Sequence, residues 1–172
     1  KTALDGIEIL ESNKISNVIA DCRAVKTQNE IESIKSAQAI TDKAFGYILD
    51  KIKIGKTEKE IALDLEFFIR KNGSEGVAFD FIVVSGENSS LPHGVPGNRT
   101  LKAGDFVTMD FGAKFGGYCS DMTRTVALSF ITDEQQKVYD TVLKAQTLAF
   151  EKIKAGAVCK DVDAAARDFI YK

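Results

Sequence analysis

The segment Ile52-Lys53-Ile54-Gly55, running on to Phe68-Ile69-Arg70-Lys71, returns 101 residues later as Ile153-Lys154-Ala155-Gly156 and Phe169-Ile170-Tyr171-Lys172. The two stretches align without a gap, and seven of twenty positions are identical. Lys59 matches Lys160, and Glu60-Ile61 matches Asp161-Val162. Each copy sets a glycine between two helical patterns, a stop followed by a start. Two unrelated amphipathic helix pairs would share the pattern without this density of identities. The chain therefore reads as an internal duplication, with two helices, then strands, then two helices again. That is an α+β architecture in which the first repeat is complete and the second is present as its two helices. The strands of the second copy should begin at Lys172, so a chain cut in mid-repeat is expected. Lys1 in place of Met points the same way. Strands of one copy should pair with or pack beside those of the other. Without them an edge strand and apolar helix faces lie open, and self-association or low stability is the expectation.

Local signals agree with this layout. Thr27-Gln-Asn-Glu30, Thr57-Glu-Lys-Glu60 and Thr132-Asp-Glu-Gln135 all have capping-box form, and each precedes apolar residues at helical spacing. A fourth helix is expected around residues 160–171, carrying Val162, Ala165 and Phe169. Between the second and third helices the pattern turns β-like over Val77–Ser85, Phe106–Phe111 and Tyr118–Phe130. The stretch Asn88–Gly104 is loop-rich and holds both prolines, Pro92 and Pro96. Ser85-Gly-Glu-Asn88 superficially resembles a phosphate-binding loop, but no helix N-terminus is expected after it.

Composition narrows the chemistry. The 23 basic and 25 acidic residues leave a net charge of −2, which gives no strong pull toward nucleic acid or an anionic membrane. No apolar run approaches the roughly 20 residues of a membrane span. The three cysteines are odd in number and widely spaced, which fits reduced thiols and a cytoplasmic protein. A single histidine, His93, excludes any site that draws several histidines from this chain.

The sharpest feature lies in Val107-Thr-Met-Asp-Phe-Gly-Ala-Lys-Phe-Gly-Gly-Tyr-Cys-Ser-Asp-Met-Thr-Arg-Thr-Val126. Two β-prone runs flank Lys114-Phe115-Gly116-Gly117, a hairpin signal. With that loop as the turn, Asp110 sits directly opposite Asp121. Like charges so placed destabilise a sheet. Among Val107, Met109, Phe111, Met122 and Val126 they would be expensive unless neutralised. A bound cation resolves the conflict, and all-oxygen ligation suits Mg²⁺, Mn²⁺ or Ca²⁺. Two aspartates are too few for a tight site, and the duplication offers a source for further ligands. His93 stands in Leu91-Pro92-His93-Gly94, where Pro92 stiffens the loop and Gly94 permits close approach. An imidazole there suits proton shuttling or oxyanion stabilisation beside a metal-activated water. Thr123 shares the strand face of Asp121 and could orient a ligand. Arg124 points the other way, as a structural ion-pair partner, and Gly112, Gly116 and Gly117 serve the turn.

Four stretches in order carry a family resemblance: Phe79-Asp-Phe-Ile-Val-Val-Ser-Gly86, Asn88-Ser-Ser-Leu-Pro-His-Gly94, Gly104-Asp-Phe-Val-Thr-Met-Asp-Phe-Gly112 and Gly117-Tyr-Cys-Ser-Asp-Met-Thr-Arg-Thr125. Together they resemble the Xaa-Pro aminopeptidase/prolidase branch of the pita-bread metallopeptidases. Leu-Pro-His-Gly and Asp-Met-Thr-Arg-Thr place the chain nearer this branch than the methionine aminopeptidases. The resemblance implies a duplicated α+β catalytic domain, here partial over residues 23–172. It also implies an N-terminal α/β domain, of which residues 1–22 (Ile7-Glu-Ile-Leu10, Val18-Ile-Ala20) would be the tail and linker.

By the same resemblance Asp110 and Asp121 would be the first two ligands of a dinuclear site holding Mn²⁺ or Co²⁺. His93 would bind substrate and stabilise the tetrahedral intermediate. The family's remaining ligands, a histidine and two glutamates, would lie beyond Lys172. The full-length protein would then hydrolyse Xaa-Pro bonds of dipeptides or peptide N-termini, as a homodimer, while this chain alone would be inactive. Two other readings on the same fold are a non-catalytic peptide- or protein-binding module and a creatinase-like amidinohydrolase. The first would be expected to lose metal ligands, and the second need not keep the aspartate pair.

Overall fold

A computed structural model describes residues 13–171. Helix α1 (Lys14–Ala24) is exposed along its length. Helices α2 (Gln28–Leu49) and α3 (Glu58–Lys71) follow, each opened by the expected capping box. The Thr27 and Thr57 hydroxyls accept from the backbone of Glu30 and Glu60, whose carboxylates reach back in return. Strands β1 (Gly76–Val77), β2 (Ile82–Ser85), β3 (Phe106–Phe111), β4 (Ala113–Phe115), β5 (Tyr118–Cys119) and β6 (Met122–Ala127) come next. Helices α4 (Asp133–Lys152) and α5 (Cys159–Ile170) complete the order. Among the described residues no helix is long and apolar enough to cross a membrane.

The strands form two three-stranded antiparallel sheets, ordered β1-β4-β5 and β2-β3-β6. They are two ends of one long hairpin, since β3 runs into β4 and β5 into β6. Alternation along β3 decides what faces what. Val107, Met109 and Phe111 are buried, whereas Phe106, Thr108 and Asp110 are half-buried. The buried set meets Ile40, Ala44 and Ile48 of α2 and Ile61, Leu65 and Ile69 of α3, with Val83, Leu101 and Met122 closing the core. Tyr47 and Phe68 stack at 4.3 Å where the two helices cross. At the hairpin tip the Tyr118 hydroxyl donates to Glu30. That bond, helped by Thr27, lowers the Glu30 carboxyl to about 2.

The duplication is visible in the backbone. Gly55 and Gly156, equivalent in the repeat, both take positive φ, at 90° and 81°, a conformation that only glycine adopts freely. Helices α3 and α5 begin at equivalent positions, Glu58 and Cys159. The surroundings differ. The α2–α3 loop is paired with Leu101, from Gly55 N–H to its carbonyl (2.9 Å) and from its N–H to the Lys56 carbonyl (2.8 Å). Helix α5 has no buried residue, α4 has Ala145 alone, and Val142, Phe150, Ile153 and Val158 are exposed.

The caps differ too. Thr57 caps α3, whereas its counterpart Val158 offers α5 no side-chain hydrogen bond. Its backbone is already extended (φ −80°, ψ 125°), the conformation an N-cap needs. Val158→Thr is therefore expected to stabilise α5 by about 1 kcal/mol. An unchanged helical melting profile would count against it.

Two expectations need correction. Ser85 is followed by a single 3-10 turn, Gly86–Ser90, where the sequence signals only loop. Ser89 and Ser90 hydroxyls, donating to the Gly86 and Glu87 carbonyls, tighten it. Arg124 sits over the Phe45 ring (5.8 Å) and donates to the Thr123 carbonyl, and among the described residues these contacts stand in place of the expected ion pair. Of the N-terminal segments, Val18-Ile-Ala20 lies within α1, and Ile7–Leu10 falls outside the described residues.

Candidate metal centre

The two carboxylates are brought together, in a different register from the expected one. The turn is the two-residue Gly116-Gly117, with both φ positive at 58° and 77° and Phe115 paired to Tyr118. This is the form that two-residue hairpin turns favour, and it replaces the four-residue loop Lys114–Gly117. Asp110 consequently faces Thr123, and Asp121 is its diagonal neighbour. A shift of one residue would have sent one carboxylate to the opposite face, but a shift of two keeps both on the same side. Diagonal neighbours lie about 7–8 Å apart, still within side-chain reach.

The pair is also unequal. Asp121 is exposed, while Asp110 is half-buried and its Oδ1 is sealed from solvent with no hydrogen-bond partner. Burial pushes the Asp110 carboxyl above the ordinary carboxylate range. Thr123 opposes that rise, the approaching Asp121 adds to it, and His93 eases it. The cost expected of two carboxylates set among apolar side chains therefore falls chiefly on Asp110.

His93 reaches this face because of how its loop is packed. Val84 shares a sheet face with Asp110, two residues along the β2–β3 ladder, and it is buried although it points away from the helices. Gly94 covers it so closely that a Cβ there would lie 2.5 Å from Val84 Cγ1. The neighbouring His93 is thereby set on the carboxylate side of the sheet.

Gly112, assigned from sequence to the turn, lies instead at the bend between β3 and β4. A Cβ on it would fall 1.9 Å from the Ser120 carbonyl oxygen. Beneath the bend a buried polar knot holds the strands. Thr41 Oγ1 and Ser120 Oγ are 2.6 Å apart, and the Ala113 N–H donates to both. Ser120 immediately precedes Asp121, so the knot fixes the backbone from which that carboxylate projects. Thr41 and Ser120 were missed in the sequence because a lone hydroxyl in a helix and another in a strand carry no local signal.

A metal fits this arrangement in kind. Asp110 Oδ1 is a buried acceptor without a donor, a costly state that a cation would relieve. The donor set is all oxygen, which suits hard or borderline divalent ions. Among the described residues, no group of three or more His, Cys, Asp or Glu side chains is arranged to hold a metal ion.

Comparison with known proteins bears on the whole arrangement. Residues 32–172 match the model of metallopeptidase family M24. The chain belongs to that family. The M24 chain is 41% identical over 162 residues to the Xaa-Pro dipeptidase of Pyrococcus furiosus, covering 94% of this chain and 47% of that protein. The X-Pro aminopeptidase of Thermotoga maritima superposes with a TM-score of 0.88 at 44% identity, over 91% of this chain and 44% of that one. The prolidase structure from Pyrococcus furiosus gives 0.88 at 41% identity, over 91% and 47%. The M24 chain thus spans somewhat less than half the length of these relatives. Its α+β arrangement is that of part of the duplicated pita-bread unit, as the four motifs implied.

Proposed function

We propose that the full-length protein is a metal-dependent peptidase that cleaves the Xaa-Pro bond of dipeptides or peptide N-termini. In this reading Asp110 and Asp121 supply ligands to a pair of divalent ions, Mn²⁺ or Co²⁺, and His93 works beside them. The observation that carries it is the buried, partnerless Oδ1 of Asp110 on the same face as Asp121, with His93 close enough to ease its charge. The names of the relatives support the substrate class.

When bound, such ions would lower the pKa of a coordinated water and polarise the scissile carbonyl. This chain's residues divide the remaining work. Asp110 accepts through the oxygen that burial has left without a donor, and Thr123 opposite biases it toward the charged form. Asp121, exposed, completes the half-site from the next row. His93, on a loop seated over Val84, would donate to an oxyanion. With two carboxylates on one face, the chain by itself is expected to bind metal weakly and to turn over little.

The test is hydrolysis of an Xaa-Pro dipeptide and its Xaa-Ala counterpart by the full-length protein, before and after chelation and with Mn²⁺ or Co²⁺ restored. Proline-selective cleavage that disappears on chelation and returns with metal is expected. Equal cleavage of both dipeptides, or activity indifferent to chelation, overturns the reading.

A further inference from the structure

Glu58 is 1% exposed, yet it is a carboxylate at the first position of α3. The capping box employs Thr57 and Glu60 and leaves Glu58 unaccounted for. Its side chain is fully engaged elsewhere. Oε1 accepts from the Ser85 N–H (2.7 Å), the Ser85 hydroxyl (2.8 Å) and the Asn88 amide (3.4 Å). Oε2 accepts from the Gly97 N–H (3.1 Å). Ser85 and Asn88 form the entering arm of the His93 loop, and Gly97 belongs to the leaving arm. One carboxylate therefore spans the neck of the loop.

The neck is reinforced around that carboxylate. The first N–H groups of α3, on Glu58 and Lys59, donate to the carbonyls of Arg99 and Gly97, both at 3.1 Å. Arg99 donates to the Ser85 hydroxyl (2.7 Å) and forks onto Asp105 at 2.6 and 3.1 Å. Gly86, at φ 55°, is pressed so tightly that a Cβ would lie 2.2 Å from Arg99 Nη2. All four groups facing Glu58 are donors. An ionised carboxylate is acceptor-only and matches them, whereas an amide would turn N–H groups toward some of them.

Ser85 shares its sheet face with Val107, on the helix side, while Gly94 covers Val84 on the other. The loop thus starts at Glu58 on one side of β2 and delivers His93 to the other, where Asp110 lies. We propose that Glu58 is a positioning residue that holds His93 beside Asp110 by clamping both arms of its loop. This rests on the metal reading above and adds to it a residue that touches neither metal nor substrate.

The test uses Mn²⁺ as a paramagnetic probe, whose line broadening falls steeply with distance. The chain has one histidine, so the His93 ring gives an unambiguous proton signal, and the Thr123 methyl, facing Asp110, serves as the reference. In the unaltered chain both signals should broaden together as Mn²⁺ is added. In Glu58→Gln the Thr123 broadening should persist while that of His93 falls several-fold. Equal broadening of His93 in both proteins overturns the proposal and leaves Glu58 a stability residue. Failure of Thr123 to broaden in the unaltered chain sinks the metal reading, and this role for Glu58 with it. Should Glu58→Gln not fold, Ser85→Ala and Asn88→Ala each remove donors from the carboxylate. A partial loss confined to His93 is then expected, and no loss in either variant overturns the proposal.

Discussion

Asp110→Asn is expected to make the metal-free chain more stable and to abolish its stabilisation by Mn²⁺. The buried Oδ1 lacks a donor, and burial raises the folded-state pKa of this carboxyl above its ordinary value of 3.8. A folded state that binds the proton more tightly than the unfolded state is favoured in acid. Its contribution is fully present below the unfolded pKa and is lost as pH rises through the higher folded value. Near neutrality Asp110 is therefore a liability, and the neutral asparagine removes it. The gain should be about 1 kcal/mol at pH 7 and should shrink toward zero as the pH falls below the unfolded value.

Added Mn²⁺ reverses the order, because a ligand that binds the folded form stabilises it by mass action. The unaltered chain should rise in melting temperature and Asp110→Asn should not. Denaturation at several pH values, with and without Mn²⁺, reads both effects. A variant less stable than the original at pH 7 without metal, or one equally responsive to Mn²⁺, would refute the assignment.

Gly112→Ala is expected to cost about 3 kcal/mol or more and to eliminate Mn²⁺ binding along with it. The added methyl would meet the Ser120 carbonyl oxygen at 1.9 Å and the Ala78 Cβ at 3.0 Å. Neither neighbour can retreat cheaply. Ser120 N–H donates to the Ala113 carbonyl (2.9 Å), and Ala78 N–H donates to the Gly112 carbonyl itself (3.0 Å). Any accommodation must open the bend that carries Asp121. Gly46 provides the contrast, being exposed in the last turn of α2, where an added methyl would have nothing within 4 Å. Alanine there should be neutral or mildly stabilising. Chemical denaturation of the two variants side by side, with Mn²⁺ titration of whatever folds, separates crowding at the bend from a general effect of losing a glycine. Retention of both stability and metal response in Gly112→Ala would contradict the account.

What could be read from the chain was what is local. Each Thr-x-x-Glu or Thr-x-x-Gln signature became a capping box because its partners lie three residues apart. The spacing of Ala44, Ile48, Ile61 and Leu65 placed the buried helix faces, although the same spacing pointed to Phe68 where Ile69 is the buried residue. The face shared by Asp110 and Asp121 survived an incorrect turn because the error was an even number of residues. Features made by distant pairings did not survive. Glu58 gave no sign of its role, since its donors come 27 to 39 residues later. Gly112 looked like a turn residue because its reason for being glycine is a carbonyl on the opposite strand. The unequal burial of the two aspartates depends on what covers each end of the sheet, and alternation along a strand does not encode that.

The contrast between the two helix pairs bears on how this chain comes apart. Helices α2 and α3 share their buried faces with the strands, whereas α4 and α5 pack chiefly on each other. The second pair meets the rest through small contacts such as Gln135 on the Gly104 carbonyl (2.8 Å) and Tyr139 beside Phe106 (6.2 Å). Regions with little buried apolar surface open at lower free energy than the global transition. Unfolding should then be hierarchical, with the later helices fraying while the sheet and its carboxylates stay intact. A helical signal sums both events, whereas the stacked Tyr47–Phe68 pair reports the second. The integrity of the half-site is thus a property of the first cooperative unit, and the melting of the whole chain overstates how easily it is lost.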